Sequence, residues 1–335
     1  MRLLIPEGYK PAIDVKETNI AIKKVKDYFE RELANQLNLT RVSAPLFVKP
    51  ESGLNDDLTG VERPVSFGIR EQNDDRAEIV HSLAKWKREA LGRYDFQLGE
   101  GLYTDMYAIR RDEDTGNIHS LLVDQWDWEK IIDKDQRNMD TLKSIVSKVY
   151  ITLKNTEQYI SNEYEYIDEI LPDEITFITS QELENRYPDL TSKEREYEIA
   201  KDKGAVFISQ IGGVLESGQP HDGRAPDYDD WSLNGDIIVY YPVLDIAMEL
   251  SSMGIRVDEE SLLKQLEIRG CMEKAEMPFQ KAVLNKELPY TIGGGIGQSR
   301  ICMFYLRKVH IGEVQASIWP KDVMEEAERK GLPLL

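Results

Sequence analysis

The densest chemistry in this sequence lies near its end, at Gly293-Gly294-Gly295-Ile296-Gly297-Gln298-Ser299-Arg300. Glycines at this density let a backbone lie against a flat ligand, because no Cβ intervenes. The arginine closing the run offers a planar fork of donors suited to a phosphate. Two familiar nucleotide-binding patterns do not fit. A dinucleotide fingerprint needs glycine where Gln298 stands, and it opens a βαβ unit rather than following most of the chain. A P-loop needs Gly-Lys before Ser or Thr, and no Gly-Lys pair occurs.

A second set is Arg110 with Ser120, Asp124, Gln125 and Asp127. If residues 104–111 and 119–127 form a hairpin, cross-strand pairing brings these groups together. Trp126 and Trp128 alternate with Gln125 and Asp127, so a strand here puts indoles on one face and polar groups on the other. A third set is Glu249-Leu250-Ser251-Ser252-Met253-Gly254-Ile255-Arg256, with Asp236 upstream. Glu249 and Asp236 together suit magnesium, which takes one or two carboxylates and completes its shell with substrate phosphate oxygens.

Residues 14–37 predict an amphipathic helix, with Ile22, Val25, Phe29, Leu33 and Leu37 at helical spacing. Pro45 interrupts the strand that follows, which suits a sheet edge. A short helix is expected over 80–91, carrying Lys85, Lys87 and Arg88, and a longer one over 136–158. Residues 159–204 read as acidic and mostly helical, ending at Gly204. Strands are expected at 205–211, 236–241 and 244–257. The result is an α+β fold, a mostly antiparallel sheet flanked by helices, in a single domain spanning 1–335. An acidic helical insertion is expected at about 132–204.

Composition narrows the function. The chain has 335 residues, 41% of them hydrophobic, and a formal net charge of -19. That content supports a large core and argues against disorder. The negative field disfavours nucleic acid as a partner, since the basic clusters are short. Cys271 and Cys302 are too few for a disulfide framework or a zinc site. The stretch from Met1 to Pro6 lacks the apolar run of a signal peptide, and no window reaches the roughly 20 apolar residues of a membrane span. A cytosolic protein is expected.

Taken together, the spaced motifs resemble those of class II aminoacyl-tRNA synthetase catalytic domains. The 14–37 helix leading to Arg41-Val42-Ser43-Ala44-Pro45-Leu46-Phe47 is similar to motif 1, the dimer-forming element of that family. Arg110 with the 119–127 strand resembles motif 2, and Gly293 to Arg300 resembles motif 3. The segment from Glu249 to Arg256 is similar to the ATP and metal strand of aspartyl- and asparaginyl-tRNA synthetases. A nearer resemblance covers almost the whole chain: the ammonia-dependent asparagine synthetases, or aspartate–ammonia ligases. It is carried by His81-Ser82-Leu83-Ala84-Lys85-Trp86-Lys87-Arg88, Gly99-Glu100-Gly101-Leu102-Tyr103-Thr104, Val123-Asp124-Gln125-Trp126-Asp127-Trp128-Glu129, and Arg224-Ala225-Pro226-Asp227-Tyr228-Asp229-Asp230-Trp231. About ten residues ahead of the first helix depart from that pattern.

The resemblance implies a reaction of aspartate, ATP and ammonia that gives asparagine, AMP and pyrophosphate. It places Arg110 at the α-phosphate and Arg300 at the γ-phosphate, with Ser120, Glu249 and Gly295 completing the ATP site. Magnesium falls to Asp236 and Glu249. Lys87 and Arg256 lie near substrate carboxylate or phosphate, while Gln125, Asp127, Ser251 and Ser252 surround the amino acid. Asp56 and Asp229 lie near the reacting carbonyl. A homodimer is implied. A synthetase-like protein that passes its adenylate to tRNA or to a protein side chain is the main rival; against tRNA, nearly every residue is used by the catalytic fold and the chain is acidic. A non-catalytic relative that only binds nucleotide is expected to lose Arg110, Glu249 or Arg300, and all three are present.

Overall fold

The computed structural model describes residues 3–58 and 62–335; the first two residues of the N-terminal stretch read above lie outside that range. Helix α1 (Val15–Leu37) starts at Asp14, whose side chain accepts from Glu17 N–H. Its buried residues, among them Val25, Phe29, Leu33 and Leu37, follow the expected three-and-four spacing. It stops at Asn38, a left-handed cap whose N–H donates to the Ala34 carbonyl. Strand β1 (Leu39–Arg41) follows at once.

A small antiparallel sheet comes next, made of β2 (Phe47–Val48), β3 (Ser66–Ile69) and β4 (Asp75–Ile79), with β4 in the middle. Helix α2 (Ala84–Arg93) leads to the hairpin of β5 (Gly101–Ile109) and β6 (Leu122–Ile131). Helix α3 (Met139–Glu163) precedes β7 (Thr176–Thr179), α4 (Ser180–Arg186), α5 (Ser192–Lys203) and β8 (Ala205–Ser209). The long strands β9 (Asp229–Tyr241) and β10 (Ile246–Arg256) form a second hairpin. Helices α6 (Glu259–Arg269) and α7 (Pro278–Leu284), strand β11 (Thr291–Gly297), α8 (Gln298–Tyr305) and α9 (Lys321–Lys330) complete the chain.

Eight strands make one sheet in the order β1-β5-β6-β11-β10-β9-β8-β7. Its interior pairings are antiparallel, and only the two outermost, β1 with β5 and β7 with β8, are parallel. This is the expected α+β class. The stretch 132–204 departs from the expected insertion. Its helix α3 packs on α1 in the main core, and β7 extends the sheet at its edge. Composition concealed β7, because a four-residue edge strand carries little periodicity.

The strand period divides the sheet into two chemistries. On β6, Trp126 and Trp128 are fully buried among α1, α3 and α8, and Trp126 stacks on Phe29 at 4.6 Å. Gln125, Asp127 and Glu129 alternate onto the other face. Asp124 goes with the indoles, where it accepts from Ser299 N–H and Oγ at the start of α8. It therefore leaves the polar set in which the hairpin reading put it. On β10 a register shift between Glu249 and Ser251 breaks the strict alternation. That bulge turns both Glu249 and Ser252 toward the polar face, although they are three residues apart.

Candidate active site

The polar face opens into a cavity of about 460 Å³. Its floor is a buried ionic lattice built from five elements, β6, β9, β10, β11 and α2. Arg256 on β10 donates from Nη2 to Glu129 Oε2 at 2.7 Å and from Nε to Oε1 at 2.9 Å, and its Nη1 pairs with Asp229 on β9. Thr291 Oγ1 on β11 donates to Glu129 at 2.6 Å. Lys87 on α2 reaches over to the Gly294 carbonyl at 2.9 Å and lies 3.6 Å from Asp127.

Burial opposes the charge of Arg256, but Glu129 and Asp229 more than offset it, so the guanidinium is held more firmly charged than usual. Burial likewise opposes Glu129, and Arg256 reverses the balance, holding the carboxyl low. Lys87 is different: burial dominates over Asp127 and pushes its ammonium down. Burial also prevails over Arg256 at Asp229 and pushes that carboxyl up.

Glycines make the lattice possible. A Cβ on Gly293 would collide with Glu129 and Arg256. One on Gly295 would come within 2.6 Å of Gln125 Oε1 and 2.7 Å of Asp127 Oδ1. The expectation was a backbone bared for a flat ligand. The structure shows a central strand stripped so that side chains from both neighbouring strands can cross it.

Three further groups ring the floor. Asp56, in the loop after β2, accepts from Ser82 Oγ at 2.9 Å and from Leu58 N–H at 2.8 Å. Burial raises its carboxyl, against the opposing pull of Lys85. Lys85 is itself paired with Asp227 at 2.9 Å and is deeply buried. The β5–β6 loop supplies Arg110, whose backbone N–H donates to Leu121 and keeps the hairpin closed at its base. The third group is Arg224, which pairs with Asp236 on β9 while Glu249 lines the wall beside it. Burial raises Asp236 against Arg224, and Glu249 adds to the rise. Burial acts on Glu249 too, but Arg300 and Arg224 prevail and keep it ionised.

Of the expected residues, Asp56, Lys87, Arg110, Gln125, Asp127, Asp229, Glu249, Ser252, Arg256 and Gly295 all line this cavity. Four do not. Ser120 Oγ is turned away to Ser317 Oγ at 2.9 Å. Ser251 Oγ is occupied by the Gly295 carbonyl at 3.0 Å, on the far side of the bulge. Arg300 lies behind the wall, holding the Glu249 carbonyl at 2.8 Å. Asp236 sits behind Arg224, and its Oδ1 is buried without a partner. Sequence reading also missed residues. Glu129 lies two residues beyond Asp127 and four beyond Gln125, so strand alternation places it on their face. Arg224 and Tyr228 carried no such signal, because they sit in an irregular segment ahead of β9.

Glu249 and the unpartnered Asp236 Oδ1, on neighbouring strands, are the two carboxylates that would hold a divalent cation. Among the described residues no cluster of three or more metal-ligating side chains occurs. Two carboxylates fit magnesium that keeps waters and substrate phosphates, and do not fit a closed all-protein cage.

A mostly antiparallel sheet with a hairpin arginine, a glycine strand and an acidic strand on one face has the fold of class II aminoacyl-tRNA synthetase catalytic domains. Solved structures agree on the fold. Asparaginyl-tRNA synthetase from Pyrococcus horikoshii superimposes with a TM-score of 0.65 at 14% identity, over 91% of this chain and 70% of that one. The asparaginyl-tRNA synthetase of Entamoeba histolytica gives 0.62 at 13% identity, over 90% of this chain and 66% of that one. The chain thus spans about two thirds of these enzymes.

Sequence relatives narrow the class. The aspartate-ammonia ligase family model matches residues 16–331. Aspartate–ammonia ligases from Clostridium perfringens and Pediococcus pentosaceus are 65% and 53% identical, each over 100% of this chain and at least 99% of its relative. The chain belongs to the aspartate–ammonia ligase family.

Proposed function

We infer that this protein joins ammonia to the side-chain carboxylate of aspartate, giving asparagine, and that it activates that carboxylate as an acyl-adenylate. The observation that carries the adenylate reading is the meeting of Arg110, Glu249 and the Gln125–Asp127 edge in one cavity. A carboxylate is a poor electrophile, so one of its oxygens must first become part of a leaving group. Attack on the α-phosphate of ATP achieves this, and negative charge grows on that phosphate. Arg110 stabilises the charge with a fixed fork of donors, which a lysine does not reproduce. Magnesium held by Glu249 and Asp236 with the triphosphate supplies further charge neutralisation when bound. Lys87, Gln125 and Asp127 orient aspartate, and Ser252 closes the same wall.

Nine carboxylates and six cationic side chains line the cavity. This balance suits an ammonium ion and a triphosphate that arrives with its metal. We assign Asp56 to bind ammonium and help take its proton, because it lines the cavity and burial raises its carboxyl. Arg300 acts through the wall, fixing Glu249, while its charge reaches the phosphate end.

The protein works as a cytoplasmic homodimer in this reading. Leu46, Phe47 and Phe67 are exposed on the small sheet beyond Pro45, an apolar face suited to an isologous contact. A monomer in sedimentation at micromolar concentration, with full activity, would overturn the dimer. The reaction itself is tested with aspartate labelled with oxygen-18 in its side-chain carboxylate. AMP carrying the label, with pyrophosphate, is expected; release of ADP and phosphate excludes the adenylate.

A further inference from the structure

The loop that carries Arg110 is braced by a segment with no assigned role. The family match begins at residue 16, and residues 3–14 lie ahead of it as a described arm in front of α1. Leu3 is 5% exposed and packs in the main core. At Leu4 the arm meets Asn117, at the far end of the β5–β6 loop. Leu4 N–H donates to Asn117 Oδ1 at 2.8 Å, and Asn117 Nδ2 donates back to the Leu4 carbonyl at 2.6 Å. The carboxamide thus imitates one rung of a sheet, a reciprocal pair that fixes both position and orientation.

Asn117 is tied on its other side as well. Its Nδ2 also donates to the Val309 carbonyl at 2.6 Å, and its own carbonyl accepts from Ile311 N–H at 2.7 Å. A second anchor keeps the arm in place, since Tyr9 Oη donates to Glu313 Oε2 at 2.9 Å. Glu313 is held by Val309 and His310 N–H through its other oxygen. The turn between Gly116 and His119 closes on itself through paired backbone bonds, so a constraint at Asn117 passes along a short, stiff link. That link continues through Arg111 to Glu113, which line the cavity beside Arg110.

We propose that the N-terminal arm and Asn117 form a strut that positions the β5–β6 loop, and Arg110 with it, for the nucleotide. The arm touches no part of the cavity, so Asn117 and Leu4 are positioning residues. A displacement of about 1 Å at a phosphate-binding arginine is enough to cost on the order of a hundredfold. The functional half rests on Arg110 acting at the α-phosphate.

Two full-length variants test the strut. Leu4→Pro removes one N–H from an exposed residue and leaves the buried surface of Leu3 in place. Asn117→Ala removes both directions of the rung. Each variant is followed by hydrogen exchange of amides 110–121 and by steady-state kinetics. Faster exchange in that loop is expected, with unchanged exchange in α1. KM for ATP should rise by roughly tenfold while KM for aspartate stays within about twofold, because only the nucleotide contact is loosened. Unchanged loop exchange in Leu4→Pro overturns the strut whatever the kinetics. A rise in both KM values together with faster exchange in α1 also overturns it, as general destabilisation. Faster loop exchange with an unchanged KM for ATP confirms the strut but overturns its link to Arg110.

Discussion

Asp56 shares its cavity with the buried carboxylates of Asp127 and Asp229, but it alone is bound only through neutral donors, Ser82 Oγ and Leu58 N–H. Asp229 is engaged by Arg256, and Asp127 lies beside Lys87. A carboxylate without a direct cationic partner keeps the capacity to accept a proton. The asparagine substitution therefore separates the half-reactions. Asp56→Asn should retain aspartate-dependent exchange of pyrophosphate into ATP and lose asparagine formation, by about a hundredfold to ten-thousandfold. If both fall together, Asp56 positions substrate instead. Arg110 calls for the opposite control. Arg110→Lys keeps the charge of a half-exposed side chain, so thermal stability should hold while both half-reactions drop by about tenfold to a thousandfold. Exchange at the wild-type rate would remove Arg110 from the phosphate.

At the scale of elements, β11 decides whether the site exists. Gly295 is flanked by Gln125 and Asp127 on one side and by Ser252, its partner on β10, on the other. Gly295→Ala should leave the sheet paired, since backbone bonding is unaffected, and displace Gln125 and Asp127 by the few tenths of an ångström to an ångström that a methyl demands. KM for aspartate is expected to rise roughly tenfold with a smaller change for ATP, a split that kinetics with each substrate varied in turn would reveal. Equal changes in both would mean that the strand itself had shifted.

The same strand shows what the sequence made legible. Glycine density marked the segment and alternation divided the indoles from Gln125, Asp127 and Glu129 on β6, because both signals are local. The bulge in β10 was not legible. It depends on pairing with β9, and strict alternation would put Ser251, not Ser252, on the face of Glu249. Ser120 and Arg300 were placed by motif position, and their side-chain directions are set by Ser317 and Glu249, far away in sequence.

At the scale of the whole molecule, acid acts on this protein in two opposing directions. Its formal net charge of -19 means that protonating surface carboxylates relieves self-repulsion as pH falls. His310 works the other way. It is fully buried, accepts from Gly312 N–H at 3.0 Å and packs edge-on against Trp319 at 4.6 Å, with Nε2 unpartnered. Burial pushes it down to about 4, so the folded protein keeps it neutral where the unfolded chain protonates it. Its contribution is complete above about pH 6.5 and is lost as pH falls through that value toward about 4, up to roughly 3 kcal/mol. The two effects overlap, so a single pH profile cannot separate them. His310→Asn can, because an asparagine oxygen can still accept from Gly312 while nothing titrates. Urea unfolding of both proteins between pH 7 and 4.5 should show the wild type losing stability relative to the variant, with a slope difference approaching one proton. Parallel profiles would mean that His310 takes up its proton alike in the folded and unfolded chain.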